Sequence, residues 1–123
     1  MDEPIRGKTQ WFIPDGFIPT TVTGVLESHE SVCVLNCTNL DATLLFTIYF
    51  EDRNPIENVE AVVCARRTRH IRTSHIEKNG IFIPTGIPYA MEVTSDIPVI
   101  IQYSRMDTTQ EANAIMTTIA YSL

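Results

Sequence analysis

Residues 44–50 read LLFTIYF, and this stretch decides the fold class of the chain. Its even-numbered positions, from Leu44 to Phe50, are all large and apolar, whereas the hydroxyl-bearing Thr47 and Tyr49 stand at odd positions. Side chains on a β-strand alternate between two faces, so this period of two predicts a strand. We expect the even-numbered face to lie against a core and the odd-numbered face to meet solvent or a partner.

Similar short runs, rich in Val, Ile, Thr, Tyr and Phe, follow one another along the chain and are separated by Pro, Gly or Asn. β-Branched and aromatic residues favour strands, and Pro and Gly favour the turns between them. This pattern predicts an all-β fold, an antiparallel β-sandwich of about eight to nine short strands. The predicted strands are residues 10–13, 31–37, 44–50, 58–64, 67–72, 81–83, 89–95, 99–105 and 114–120.

Two segments depart from the strand pattern. Residues 14–27 contain two prolines and two glycines, and we predict a long surface loop there. In residues 108–116, Thr108 and Glu111 have the spacing of a helix-capping box, which favours a helix. The β-branched residues at 117–119 favour a last strand instead, with at most one helical turn before it.

Composition limits the class of protein. The chain has 123 residues and a formal net charge of −6, and this length suits one core, so we predict a single domain over residues 1–123. The polar first ten residues do not resemble a signal peptide, and the longest apolar-leaning stretch, residues 42–50, is far shorter than the roughly 20 residues of a membrane-spanning helix. We therefore expect a cytoplasmic protein without membrane insertion. The negative charge and the presence of only two lysines disfavour a nucleic-acid partner.

The three cysteines, Cys33, Cys37 and Cys64, are an odd number, which favours buried free thiols over a disulfide framework. On one strand Cys33 and Cys37 would stand about 13 Å apart, too far to share a zinc ion. We predict no metal site and no cofactor.

An arginine cluster is the strongest anomaly in this acidic chain. Four of the seven arginines, with His70, lie within residues 66–72. On a strand Arg66, His70 and Arg72 would point one way and Arg67 and Arg69 the other. Two interpretations stay open: a charged edge strand that discourages pairing with other chains, or a patch that faces a ligand or a subunit.

Other polar groups offer further candidates. Arg105 and Asp107 lie two residues apart, so an extended backbone would project both from one face, to form a surface salt bridge or to hold a hydroxylated ligand together. Trp11, the only tryptophan, could stack on a sugar, fill a subunit interface or belong to the core. His29 could stand at the mouth of a pocket or make an ordinary structural hydrogen bond.

Catalysis has weak support in the sequence. Ser28, His29 and Glu30 contain the letters of a catalytic triad, but adjacent residues do not converge on one reacting atom. Glu51 and Asp52 could be a glycosidase carboxylate pair, although the Arg-Asn-Pro that follows them favours a hairpin turn. We expect no enzymatic activity; a small hydrolase using Asp107 or Glu51 is the least favoured hypothesis.

Four blocks of the sequence form a recognisable pattern. They are Trp11 with Gly16, Ile18 and Pro19; Ser28, His29 and Glu30 with Val32, Cys33, Leu35 and Asn36; Ala65, Arg66, Arg67, Thr68, His70 and Arg72; and Pro98, Val99 and Gln102 with Arg105, Asp107, Gln110, Asn113, Thr118, Ile119, Ala120 and Tyr121. In order and spacing these blocks resemble the sensory rhodopsin transducer family, small prokaryotic β-sandwich proteins named after a partner of a cyanobacterial photoreceptor. Arg69, Cys37 and Cys64 depart from the family pattern.

The resemblance implies a homotetramer with a non-enzymatic role, within a superfamily whose members bind small molecules such as sugars or related metabolites. The leading hypothesis is therefore an oligomeric signalling module that binds a sugar-like ligand and conveys its occupancy. The alternative is an adaptor that docks on a protein partner without a small ligand. The ligand-binding candidates that the resemblance implies are Arg67, His70, Arg72, Gln102, Arg105, Asp107 and Asn113, with Trp11 and His29 as further candidates.

Overall fold

The structure is a computed structural model that describes residues 4–20, 29–107 and 114–123. Those residues form ten β-strands and one short 3₁₀ helix, Thr73–His75. The strands are β1 (Lys8–Phe17), β2 (His29–Asn36), β3 (Ala42–Phe50), β4 (Ile56–Val63), β5 (Arg67–Arg72), β6 (Glu77–Lys78), β7 (Ile81–Phe82), β8 (Pro88–Asp107), β9 (Ala114–Ile119) and β10 (Tyr121–Ser122).

The strands form an antiparallel β-sandwich, as the sequence predicts. A first sheet has the order β10-β1-β8-β3-β4 and a second sheet the order β5-β2-β8-β9. Strands β4 and β5 each have one partner and are therefore edge strands, on different sheets. The small hairpin β6-β7 stands apart from both.

The 20-residue strand β8 joins the two sheets. Residues up to Ser95 pair with β1 and β3, and Val99 still pairs with Lys8 of β1, whereas residues from Ile100 onward pair with β2 and β9. The sequence predicts a break at Pro98 between two strands, and this prediction is wrong. Pro98 sits at the crossing between the sheets, where the backbone N–H that proline lacks is not required by a ladder.

The core lies between the two sheets and follows the alternation read from residues 44–50. Leu44, Phe46 and Ile48 are completely buried, whereas Leu45 and Tyr49 are exposed, so the predicted orientation of this strand is confirmed. Partners from both sheets complete the core, including Trp11, Val32, Val34, Met91, Val93 and Ile101.

Several boundaries differ from those predicted. Strand β1 continues through Pro14 and Gly16, so the predicted loop over residues 14–27 begins too early; residues 21–27 lie outside the described residues. A register shift between Ile13 and Gly16 marks a bulge, a position at which proline is tolerated. Of the alternative helix at residues 108–116, only 114–116 are described, and they belong to strand β9.

The predicted turn is present in the structure, whereas the predicted burial of the cysteines is not complete. Residues 51–55 connect β3 to β4 as the predicted hairpin turn, and Asp52 pairs there with its neighbour Arg53. All three cysteines are free, but Cys33 and Cys37 are only half-buried and Cys64 is exposed, so the prediction of buried thiols is wrong for Cys64 and holds only in part for the other two. Cys64 follows the last buried residue of β4, where the backbone leaves the sheet.

Two kinds of feature are absent among the described residues. No helix among them has the length and apolarity needed to cross a membrane. No three of their His, Cys, Asp and Glu side chains are grouped so that they could hold a metal ion.

Candidate functional site

The structure divides the predicted site residues between the two sides of the second sheet. Directly opposite residues in antiparallel strands share a face. His70 stands opposite Cys33, and Cys33 stands opposite Gln102. The three residues form a row across β5, β2 and β8 on the outer face of the second sheet, which is the face turned away from the core. Arg72 lies in the neighbouring row, opposite Ser31, and His29 shares that face two residues before Ser31. Four of the nine predicted residues therefore lie on one surface.

This outer face has no carboxylate among its described side chains, although the chain carries a net charge of −6. It combines the cationic Arg72 with exposed apolar side chains: Leu35 is 43% exposed and Ile119 is 62% exposed. The face is formed by His29, Ser31, Cys33, Leu35, Thr68, His70, Arg72, Ile100, Gln102, Ser104, Met106, Ile115, Thr117 and Ile119. We call this surface the acid-free face.

The other side of the same sheet holds a buried carboxylate. Glu30 is 1% exposed and accepts hydrogen bonds from the Tyr89 and Tyr103 hydroxyl groups. The Arg105 Nε donates to Glu30 Oε2 over 2.9 Å, and the backbone N–H of Phe17 donates to the same oxygen over 3.0 Å. These contacts tie β2 to both halves of β8 and to the end of β1. Glu30, Tyr89, Tyr103 and Arg105 are called the Glu30 cluster.

In the Glu30 cluster, burial has the largest effect on the pKa of Tyr89. Burial raises the pKa of the Tyr89 phenol well above its ordinary value of 10.0, and the charge of Glu30 and the hydrogen bond to it raise this pKa further. The neighbouring Thr73 hydroxyl and the Arg105 cation act in the opposite direction and are outweighed. Tyr89 is therefore a neutral hydrogen-bond donor at ordinary pH.

The remaining predicted residues lie elsewhere. Trp11 is 5% exposed, and its indole Nε1 donates to the Lys8 carbonyl over 3.1 Å, so its faces pack in the core instead of offering a stacking surface. Arg67 is exposed on β5 and donates to the adjacent Arg66 carbonyl. Asp107 ends β8, but its side chain is outside the description, as is all of Asn113. The described carboxylates within reach of Arg105 are Glu30 and Asp15.

A cleft opens between the edge strands β4 and β5. Its volume is about 360 Å³, and Phe46, Val59 and Ile76 form its apolar floor. The charged and imidazole groups along its walls are Glu60, Arg69, His70, Arg72, His75 and Glu77. His70 and Arg72 thus border both the acid-free face and this cleft, which we call the edge cleft.

With this geometry the chain can be compared with known proteins. The family model described as Anabaena sensory rhodopsin transducer matches residues 6–122. The chain belongs to this family. The resemblance recognised in the sequence blocks is thereby confirmed.

Solved structures agree with the membership of this transducer family. The Thermotoga maritima protein 1070 is 36% identical, with a TM-score of 0.85, and the match covers 97% of each chain. The Anabaena sensory rhodopsin transducer is 34% identical, with a TM-score of 0.76, and the match covers 88% of this chain and 96% of that one. A comparison with curated proteins found no match.

Sequence reasoning missed the central residue of the Glu30 cluster in this member of the transducer family. It considered Glu30 as the third letter of a false triad and as part of a family block, and gave it no structural role. The sequence did contain an indication of this role. Glu30 lies two and four residues before Val32 and Val34 on β2, so its side chain points to the same face as those fully buried valines. A carboxylate on the core-facing side of a strand needs buried hydrogen-bond donors, and the tyrosines and the arginine on β8 provide them.

The raised pKa of Tyr89 predicts a loss of stability in alkali. Above about pH 10 the phenol ionises in the unfolded chain but stays protonated in the folded one, so the folded state binds more protons. The free energy of unfolding should then fall by up to about 1.4 kcal/mol per pH unit from this group. Urea unfolding between about pH 9 and 11 measures the slope, and Tyr89→Phe should reduce it. An equal slope in that variant would contradict the assignment.

Proposed function

We propose that this chain is a non-enzymatic signalling adaptor that docks a protein partner on the acid-free face. Membership of a transducer family supports a protein partner, and the name of the Anabaena relative describes such a role. The single observation that carries the proposal is a surface without described carboxylates on a chain of net charge −6.

The chemistry of this face indicates what kind of segment it would bind. Arg72 can form a bidentate pair with a carboxylate, and the exposed imidazole of His70 adds hydrogen-bonding capacity. Ile115 is 71% exposed and Ile119 is 62% exposed, which provides apolar area at the β9 side. The partner segment would therefore carry carboxylates opposite β5 and apolar side chains opposite β9, since complementary charge sets orientation and association rate.

We also propose that the chain forms a homotetramer in the cytoplasm. On the outer face of the first sheet, Leu45 and Tyr49 are 39% and 44% exposed, and Phe12 and Tyr121 form a ring pair with centroids 6.5 Å apart. Exposed apolar and aromatic side chains on this face support self-association. Three free thiols fit a reducing compartment.

The small-molecule hypothesis remains a second candidate, favoured by one observation. The nine residues predicted for a sugar-like ligand do not share one hollow, since Trp11 is in the core and Arg105 binds Glu30. The edge cleft, however, combines His70 and Arg72 with other charged walls, and its volume of about 360 Å³ falls in the range of small-molecule sites.

The docking proposal predicts a local effect of charge reversal. A photo-cross-linking residue at position 102, in the protein's native cells, should capture a partner that the same residue at position 81 does not. With that partner purified, Arg72→Glu and Ile119→Glu should each weaken binding by at least about tenfold in calorimetry, because they place carboxylates opposite an acidic, apolar segment.

Matched controls separate docking from general charge effects. Arg67→Glu changes an exposed arginine that projects from the other side of β5, and Ile81→Glu changes an isoleucine that is 60% exposed on the separate hairpin. Both should leave affinity within about threefold of the unaltered chain. Equal losses in the control and test variants, or full affinity in Arg72→Glu, would overturn docking on this face.

A further inference from the structure

Strand β9 forms an unprotected edge of the second sheet. It pairs with β8 and with no other described strand. The side chains from Ile115 to Ile119 are all uncharged and exposed, and Ile115, Met116 and Ile119 give the strand three exposed apolar groups. An apolar edge strand that lacks charge and proline is a ready template for pairing with another strand. The free edge of β9 is therefore suited to accept a further strand.

The other edge strands of the sandwich are protected or short. On β4, Lys78 Nζ donates to the Asn58 carbonyl over 3.1 Å. Arg69 Nη1 donates to the Val62 carbonyl of the same strand over 2.8 Å. Strand β5 carries three arginines, which oppose pairing with a like strand, and β10 has only two residues. Since cationic side chains guard the two long edges, the bare edge of β9 indicates a surface that another strand covers.

The backbone of β9 presents its free hydrogen-bonding groups at alternate residues. The Ala120 N–H donates to the Ile101 carbonyl over 3.0 Å, so the even-numbered residues before Ala120 also turn their N–H and C=O groups toward β8. The groups of the odd-numbered residues, Ile115, Thr117 and Ile119, therefore point to the free edge. A further strand would satisfy these groups without displacing a hydrogen bond within the chain.

The sequence of β9 is close to a palindrome. Residues 114–120 read AIMTTIA, which is the same in both directions from Thr117 except at Met116 and Thr118. Two antiparallel copies centred on Thr117 would place Thr117 opposite Thr117 and, on either side, Ile115 opposite Ile119. Threonine pairs and apolar pairs across strands are favourable, and these pairs fall at the residues whose N–H and C=O groups point to the free edge. An isologous contact needs a self-complementary patch, so this symmetry favours a second copy of the chain.

We propose that β9 pairs antiparallel with β9 of a second copy of this chain, with Thr117 at the twofold axis. The second sheets of the two copies then join into one sheet of eight strands. On the inner side, a groove of about 270 Å³ lies beside β9 and is lined in part by Phe12, Tyr121 and Thr118. Met116 of the second copy would stand opposite Thr118 at this groove, so the pairing also removes apolar surface from water.

This inference rests on the proposed homotetramer and names one of its interfaces. A tetramer with twofold axes needs two different isologous contacts, and the outer face of the first sheet would supply the other. Directly opposite residues share a face, so the acid-free faces of the two copies would lie side by side. A docked partner would then meet Arg72 at both ends of the joined sheet, about seven strand spacings of about 4.8 Å apart.

Light scattering on the purified chain, without a partner, tests the pairing. The chain has a mass of 13.9 kDa, and at about 0.1 mM we expect assemblies of two or four copies. Thr117→Lys should halve the mass, because it places two ammonium groups opposite each other at the twofold axis. Ile81→Lys is the matched control, since Ile81 is an exposed isoleucine on the separate hairpin, and it should leave the mass unchanged.

A charge swap adds a gain of assembly that misfolding cannot produce. The double variant with Ile115→Lys and Ile119→Lys should also have half the mass, because ammonium groups would face each other twice. The double variant with Ile115→Glu and Ile119→Lys should recover the full mass, because the carboxylate at position 115 would meet the ammonium group at position 119 of the second copy. Equal masses of the two double variants, or an unchanged mass in Thr117→Lys, would overturn the pairing.

The same measurements separate this interface from the homotetramer as a whole. A tetramer that Thr117→Lys leaves intact would remove the β9 contact and keep the tetramer. A dimer that Thr117→Lys converts to a monomer would support the β9 contact and remove the tetramer. An unaltered chain that is monomeric would overturn both.

Discussion

Glu30→Leu should lower the free energy of unfolding by about 3–5 kcal/mol, because removing one member of a buried charged network leaves its partners unpaired. Tyr89 and Tyr103 are 3% and 2% exposed and would lose the acceptor of their hydroxyl hydrogen bonds. The Arg105 side chain, 25% exposed, would lose its partner at 2.9 Å. Urea unfolding monitored by tryptophan fluorescence measures this loss, since Trp11 is buried in the same core.

A graded series distinguishes loss of the charge from loss of the whole acceptor. Glu30→Gln keeps one carbonyl oxygen and removes the charge, so its cost should be smaller, about 1.5–3 kcal/mol. Glu92→Ala is the matched control, because Glu92 lies on the same strand as the tyrosines but accepts an exposed hydrogen bond from Tyr49. That change should cost no more than about 1 kcal/mol. If Glu30→Leu costs as little as Glu92→Ala, the cluster does not stabilise the fold.

Gly16→Ala should lower the free energy of unfolding by about 1–3 kcal/mol, because it forces a new methyl group against a buried ring. A Cβ atom at position 16 would lie 2.4 Å from Cζ of Tyr89 and 2.5 Å from its Cε2. The ring cannot swing aside easily, because it is buried and its hydroxyl group donates to Glu30. Thermal and urea unfolding of the variant measure the cost.

A double-mutant cycle shows whether the clash is the cause. In a Tyr89→Ala background the ring atoms that a Cβ would meet are gone, so adding Gly16→Ala should cost less than about 0.5 kcal/mol. If Gly16→Ala costs the same in both backgrounds, its effect comes from the backbone of β1 and not from Tyr89. The expected coupling would establish that the glycine makes room for the Glu30 cluster.

The interaction between Gly16 and Tyr89 illustrates which features a local pattern can predict. Gly16 is predicted as part of a loop, since Gly and Pro are frequent in turns, but it lies in β1 opposite Tyr89. Its role depends on a ring 73 positions further along the chain, as the residue numbers show. The same holds for Pro98, which lies within one long strand because β8 changes sheets there.

The sequence predicted some features of the candidate functional surfaces and missed others. A charged edge strand was one of the two interpretations of the arginine cluster, and β5 is an edge strand with His70 and Arg72 on one face, as the alternation predicts. Sequence spacing could not show that Glu60 and Glu77 face the same cleft, because β4 and β6 approach β5 only in the folded chain. It also offered Asp107 as a partner of Arg105, in a salt bridge or around a ligand, and did not foresee Glu30, which the structure places beside Arg105. The Asp107 side chain lies outside the described residues.

The sequence by itself determined the strands and their orientation, because alternation with a period of two is a property of neighbouring residues. Residues 44–50 are the example: Leu44, Phe46 and Ile48 are buried and Phe50 is half-buried, as the pattern predicts. Only the tertiary structure decided which strands pair, where β8 crosses between sheets and which carboxylate is buried. Those features depend on hydrogen bonds and contacts between distant residues, and Glu30 is stable in the core only because β8 brings two tyrosines and an arginine to it.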